Sequence, residues 1–209
     1  MRARVKICGI TNLDDALASV DAGADALGFV FYKPSPRYIE PNLAAQIIKK
    51  LPAFVTSVAL FVNETRDEIE RIAGLTQIDL LQFHGDESPA FCQGFSRPCI
   101  RALRVNNEMD LVSEVEAYAG VVKGVLLDTY VAGVPGGTGA RFDWSLIPDS
   151  LACNIILAGG LDPDNIADAV LRVRPYAVDV SGGVEKAKGL KDISKVRQFI
   201  HEVSRVSTH

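Results

Sequence analysis

Residues 154–160 read NIILAGG and residues 177–183 read AVDVSGG. Each is a short apolar run that stops at a glycine pair. Between them, Asp164 to Val173 spaces its apolar residues as one stripe of a helix. A strand, a helix and a second strand of this length make a βαβ unit, whose two strands run parallel. The same alternation extends back to the beginning of the chain. Apolar, β-rich runs start near Val5 (VKICG), Ala26 (ALGFVF), Ser57 (SVALFV), Leu80 (LLQFHG), Cys99 (CIRALRV) and Gly124 (GVLLD). Their nearly unbroken apolar character suits strands covered on both faces, as parallel strands are.

Between the runs lie helical patterns. Asn12 to Ala22 places Leu13, Ala16, Leu17 and Val20 on one stripe. Thr65 to Ala73 opens with T-x-x-E, a capping box, and turns Ile69 and Ile72 inward. Asn107 to Ala119 and Val196 to Val203 predict further helices. Eight alternations with no closing hairpin predict a closed (β/α)8 TIM barrel of the α/β class, one domain over residues 1–209. With 209 residues, each unit has about 26, a lean one. A doubly wound sheet is the rival, but G-x-G-x-x-G and P-loop motifs are both missing.

Composition narrows the function. The net charge is −4, which disfavours a nucleic-acid partner. A small anion remains possible, because local donors can bind it against the global charge. No apolar run approaches the roughly 18 residues that span a bilayer, and no secretory signal is seen, so a cytoplasmic protein without a membrane partner is expected. The four cysteines, Cys8, Cys92, Cys99 and Cys153, have irregular gaps. That spacing suits neither a zinc ribbon nor a disulfide framework.

Barrels of this kind place chemistry at the C-terminal ends of their strands. Gly137-Thr138-Gly139, Gly159-Gly160 and Ser181-Gly182-Gly183 fall on the last three loops. Glycines there either form tight turns or let backbone N–H groups converge on a phosphate, with the Ser181 hydroxyl adding a donor. The barrel precedent favours phosphate. Cys8 ends strand one, as a core cysteine or as a thiol active as thiolate. Asp128 ends strand six after four apolar residues, as a turn cap or as a buried acid. On strands one and six, Cys8 and Asp128 can flank one small substrate as base and acid. Arg37 offers a fork for a carboxylate, or is a solvated surface residue. His84 ends strand four, where a structural role competes with a catalytic one. Asp179 precedes the last glycines and can orient an amine or a neighbouring side chain. No cluster suited to a metal is visible, and no cofactor is called for.

At these residues the chain resembles the phosphoribosylanthranilate isomerase family. The shared stretches are KICGIT at 6–11, GFVFYKPSPRYI at 28–39, LLQFHGDE at 80–87, LLDT at 126–129, GGTGARFDW at 136–144, LAGGL at 157–161, DVSGGVE at 179–185 and GLKD at 189–192. The resemblance implies a cofactor-free Amadori rearrangement in tryptophan biosynthesis, with N-(5-phosphoribosyl)anthranilate as the small-molecule substrate. It implies Asp128 as general acid and Cys8 as general base, and Arg37 on the anthranilate carboxylate. His84 and Asp179 would line the site. Gly139, Gly159, Gly160, Ser181, Gly182 and Gly183 would take the phosphate. The chain is expected as a monomer or homodimer. Two rivals stand beside this reading. The related isomerase of histidine biosynthesis has a carboxylate in place of Cys8 and a substrate with two phosphates. A non-catalytic phosphometabolite-binding barrel would leave Cys8 and Asp128 unexplained.

Overall fold

A computed structural model describes residues 2–106, 108–129, 143–148 and 150–206. Its centre is a closed barrel of eight parallel strands. They are β1 (Arg4–Cys8), β2 (Ala26–Val30), β3 (Thr56–Phe61), β4 (Leu80–Phe83), β5 (Cys99–Val105), β6 (Val125–Thr129), β7 (Ile155–Leu157) and β8 (Ala177–Val180). Each pairs with its neighbour in sequence, and β8 returns to pair with β1. The barrel expected from the apolar runs is therefore observed.

Strand residues alternate between two environments, because successive side chains leave a strand on opposite faces. Val5, Ile7, Leu27, Phe29, Leu81, Phe83, Leu127 and Val178 join the large core between barrel and helices. Ile100, Ala102, Leu126, Ile156, Ala158 and Ala177 form a smaller apolar cluster inside the barrel. The same alternation turns Lys6, Cys8, Gly28, Gln82, His84, Asp128 and Asp179 inward. The barrel is thus apolar in its lower interior and polar toward the C-terminal ends of its strands.

Six α-helices cover the described part of the barrel: α1 (Leu13–Asp21), α2 (Pro41–Ile48), α3 (Arg66–Thr76), α4 (Leu111–Tyr118), α5 (Ile166–Val173) and α6 (Ile193–Val206). The Thr65 hydroxyl caps α3 by accepting from Glu68 N, as its sequence predicts. Helix α4 begins later than Asn107, because the Asp110 side chain caps it through Ser113 N. Among the described residues, no helix is long and apolar enough to cross a membrane.

One expectation fails, and one element was not foreseen. The segment after β4 forms turns, not a helix. Pro89, Gly94 and Pro98 interrupt it. Phe91 and Phe95 instead pack on Phe83, with ring centroids 5.7 and 5.1 Å away. The Arg66 guanidinium lies over Phe95 at 4.0 Å. The chain also contains a hairpin, β9 (Glu185–Ala187) with β10 (Leu190–Lys191), after the last barrel strand. Its turn uses Gly189 at φ +79°, a conformation open to glycine.

The loops after β7 and β8 touch through Gly183, where an added Cβ would overlap the Leu161 carbonyl oxygen. Gly183→Ala should therefore cost about 1–3 kcal/mol, as overpacking does. A urea melt checks this: the midpoint should fall, with little change in the slope.

Candidate active site

A cavity of about 230 Å³ opens where β6, β7 and β8 end. Asp128 and Asp179 form one part of its wall, and Gly159, Gly160, Ser181, Gly182 and Gly183 form another. The register explains the grouping. Inward positions on neighbouring strands arrive at the same height, as Lys6 does beside Asp179 and Cys8 beside Gly28. Gly139 lies outside the described residues.

The glycine wall is shaped by close approach. Gly159 and Gly160 both have positive φ, +83° and +63°. A Cβ at Gly159 would overlap Thr129 Oγ1 and come within 3.1 Å of Asp128 Oδ1. Asn165 steadies this loop by donating from Nδ2 to the Gly160 carbonyl at 2.9 Å. The Ser181 hydroxyl is buried and has no hydrogen-bond partner among the described residues. A buried hydroxyl left so costs on the order of 1–3 kcal/mol, which an acceptor in the cavity would relieve.

Asp128 accepts from Thr129 N at 2.8 Å through Oδ1. Its other oxygen lies 3.2 Å from His84 Nε2. The pair is within ion-pair reach but not aligned as a hydrogen bond. Gln82 Nε2 lies 3.1 Å from His84 Nδ1. An amide N–H donating there makes Nδ1 the acceptor and leaves the ring proton on Nε2, facing Asp128. His84 is thus held against the carboxyl by its strand neighbour.

Cys8 is buried at the end of β1. Burial is the strongest influence on its thiol and holds it above the ordinary range; Asp179 adds to this, while the Lys6 and Lys191 charges pull the other way. Asp179 accepts from the Lys6 ammonium at 2.8 Å. Burial pushes Lys6 down, but Asp179 and Cys8 outweigh it, and the group is held above its usual value as a firm cation.

Arg37 is not a free surface residue. Its Nε and Nη2 donate to Glu185 Oε1 and Oε2 at 2.8 and 2.9 Å. Glu185 also receives Lys191 Nζ at 3.1 Å. Lys191, fully buried, donates to the carbonyls of Cys8 at 2.6 Å and Ser181 at 3.2 Å. The β9–β10 hairpin therefore ties the ends of β1 and β8 to Arg37. The pair with Glu185 fixes one edge of the guanidinium, and the donors on its other edge are left for a ligand. A Cβ at Gly182 would stand 3.2 Å from Arg37 Nη2, so this fork borders the glycine wall.

Lys6, Gln82, Glu185 and Lys191 escaped the sequence reading. For the first two there was a signal. Each is a polar residue two places before an inward site residue on an otherwise apolar strand. Glu185 and Lys191 sit beyond the last barrel strand, where only the hairpin brings them back.

Residues 5–202 match the family model for N-(5'-phosphoribosyl)anthranilate (PRA) isomerase. The N-(5'-phosphoribosyl)anthranilate isomerase of Pseudomonas putida strain GB-1 is 58% identical over 202 residues, covering 97% of this chain and 98% of the relative. That of Pseudomonas fluorescens strain Pf0-1 is 60% identical over 200 residues, covering 96% and 98%. Among solved structures, phosphoribosyl anthranilate isomerase from Thermotoga maritima superposes with a TM-score of 0.90 at 43% identity, covering 97% of this chain and 99% of that one. A phosphoribosyl anthranilate isomerase solved in complex with reduced 1-(o-carboxyphenylamino)-1-deoxyribulose 5-phosphate superposes at 0.86, with 43% identity and the same coverage.

Burial pushes the Glu185 carboxyl up, but the Arg37 hydrogen bonds and the Lys191 charge leave it below the ordinary glutamate range. A lowered acid contributes stability above its unfolded pKa, about 4.3, and loses it as pH falls through the folded value. Glu185→Gln should cost on the order of 3–5 kcal/mol at neutral pH, because buried Lys191 loses its counter-charge. Urea melts at neutral and acid pH check it: the gap from the parent protein should narrow at acid pH.

Proposed function

The chain belongs to the N-(5'-phosphoribosyl)anthranilate isomerase family, and from that premise we propose that it performs an Amadori rearrangement with Cys8 as base and Asp128 as acid. The substrate is N-(5-phosphoribosyl)anthranilate and the product is 1-(o-carboxyphenylamino)-1-deoxyribulose 5-phosphate, a step of tryptophan biosynthesis. The reading rests chiefly on one cavity, in which Asp128 faces the glycine wall and Asp179 leads through Lys6 to Cys8.

The substrate lies with its phosphate on the loops after β7 and β8. The unpartnered Ser181 hydroxyl and the N–H groups around Gly160, Gly182 and Gly183 suit a phosphate there. Asp128 donates a proton to the furanose ring oxygen, and the C1′–oxygen bond breaks as the anthranilate nitrogen forms a Schiff base. Thiolate Cys8 then removes the proton from C2′. The electron pair of that bond moves toward the nitrogen and gives an enolamine, which tautomerises to the ketone. The overall change relocates protons without net oxidation, so an acid and a base suffice. His84 Nε2, 3.2 Å from the Asp128 carboxyl, lines the site beside the acid. Arg37 holds the anthranilate carboxylate with the fork edge that Glu185 leaves open.

The test is the decay of anthranilate fluorescence with freshly prepared substrate. Cys8→Ala and Asp128→Asn should each lower kcat by about 10²–10⁴-fold with the circular dichroism spectrum unchanged. Near-normal turnover by either removes that residue from the mechanism. Arg37→Ala should raise KM about tenfold or more with a smaller effect on kcat, and an unchanged KM overturns the carboxylate role. The base works as thiolate, and burial holds the thiol above its ordinary value. Alkylation of Cys8 by iodoacetamide should therefore keep rising beyond about pH 8.5, the model cysteine value.

A further inference from the structure

Lysine inside a barrel is costly. An ammonium taken from water must recover its hydration from neighbours, and an apolar residue of similar size would fill the space without that penalty. Lys6 is nonetheless turned inward from the middle of β1 and is 5% exposed. It meets Asp179 of β8 at 2.8 Å. That carboxylate offsets the buried charge but does not use all three ammonium donors.

The remaining reach of Lys6 points to Cys8, two residues along the same inward row. Gly28 on β2 makes the room. A Cβ there would stand 2.7 Å from Cys8 Sγ and 3.1 Å from Lys6 Cε. Thiol and lysine stem therefore share the space that the missing side chain leaves, and the Lys6 charge favours the thiolate. The other charges around the thiol are otherwise committed. Lys191 of β10 spends its donors on the Cys8 and Ser181 carbonyls and on Glu185. Arg37, on the loop after β2, is neutralised by Glu185 of β9. Asp179 opposes a thiolate.

We propose that Lys6 is the positioning residue for the Cys8 base: held by Asp179, it presents its ammonium to the sulfur and stabilises the thiolate that removes the substrate proton. Lys6 reaches the reaction through Cys8 and exchanges no proton with the substrate. The kinetic part rests on Cys8 being the base proposed above; the thiolate part does not.

The experiment separates the two. Cys8 alkylation by iodoacetamide is followed from about pH 6 to 10 by peptide mass spectrometry, which resolves it from Cys92, Cys99 and Cys153. In Lys6→Met the alkylation midpoint should rise by about one unit or more, about a tenfold loss of thiolate at neutral pH. At neutral pH kcat/KM should fall severalfold with it, while KM changes by less than about twofold. If the lone Asp179 carboxylate prevents Lys6→Met from folding, Lys6→Met/Asp179→Asn is read against Asp179→Asn. The difference between those two isolates Lys6, and the midpoint should again be higher in the double variant. A midpoint that does not move in the folded single variant, or between that pair, overturns the proposal. A midpoint that rises while kcat/KM stays fixed supports the thiolate role of Lys6 and removes Cys8 as base.

Discussion

The site depends on the closure of the barrel between its first and last strands. Lys6 and Asp179 are far apart in sequence and become register partners only when β8 pairs with β1. Each would be an isolated buried charge in any arrangement that failed to join those strands. A buried ion pair contributes little net stability when compared with apolar residues of the same shape. Separation is what costs heavily. The pair thus adds little to the depth of the native state but penalises an unclosed sheet, and the same closure links the strand that ends in Cys8 to Asp179 of the cavity wall.

A second ionic group acts at the mouth. Glu185 sits between Arg37 and Lys191, and Lys191 grips the carbonyls at the ends of β1 and β8. These carbonyls lie where the strand ladders stop, so the lysine supplies donors that neighbouring strands no longer give. The hairpin is consequently a strap over the strand ends that orients the Arg37 fork. Fixing a side chain before a ligand arrives removes part of the entropy cost of binding it, which suits an arginine expected to meet a planar carboxylate.

The barrel was legible because parallel strands buried on both faces leave unbroken apolar runs, and each run recurs within a residue of an observed strand. Site positions at the strand ends were legible for the same reason, since the first polar residue after such a run, as at Asp128 or His84, lies at the mouth. Period-two alternation also marked Lys6 and Gln82, but a lone polar residue within a strand carries no sign of its partner. Asp179 could be read as a group that orients an amine, and the amine it meets is Lys6. The engagement of Arg37 by Glu185 was hidden because contacts between distant loops have no local pattern. The segment after β4 misled for another reason: a tertiary aromatic cluster, not periodicity, shapes it.

The division of charge within the mouth bears on how a chain with net charge −4 can receive an anionic substrate. The buried cations Lys6 and Lys191 and the fork of Arg37 are gathered around Cys8, each already opposed by a carboxylate. Among the described residues, the glycine wall adds an unsatisfied hydroxyl and turns free of Cβ atoms, with the Arg37 fork at its Gly182 edge and Lys191 on the Ser181 carbonyl. On the proposed function, a phosphate there would be met by donor geometry, at little cost from the global charge. On the same proposal, carboxylate recognition and base activation fall to these cations. A substrate carrying both a phosphate and a carboxylate would then be oriented by two different kinds of interaction, amide and hydroxyl donors for the one and a guanidinium fork for the other.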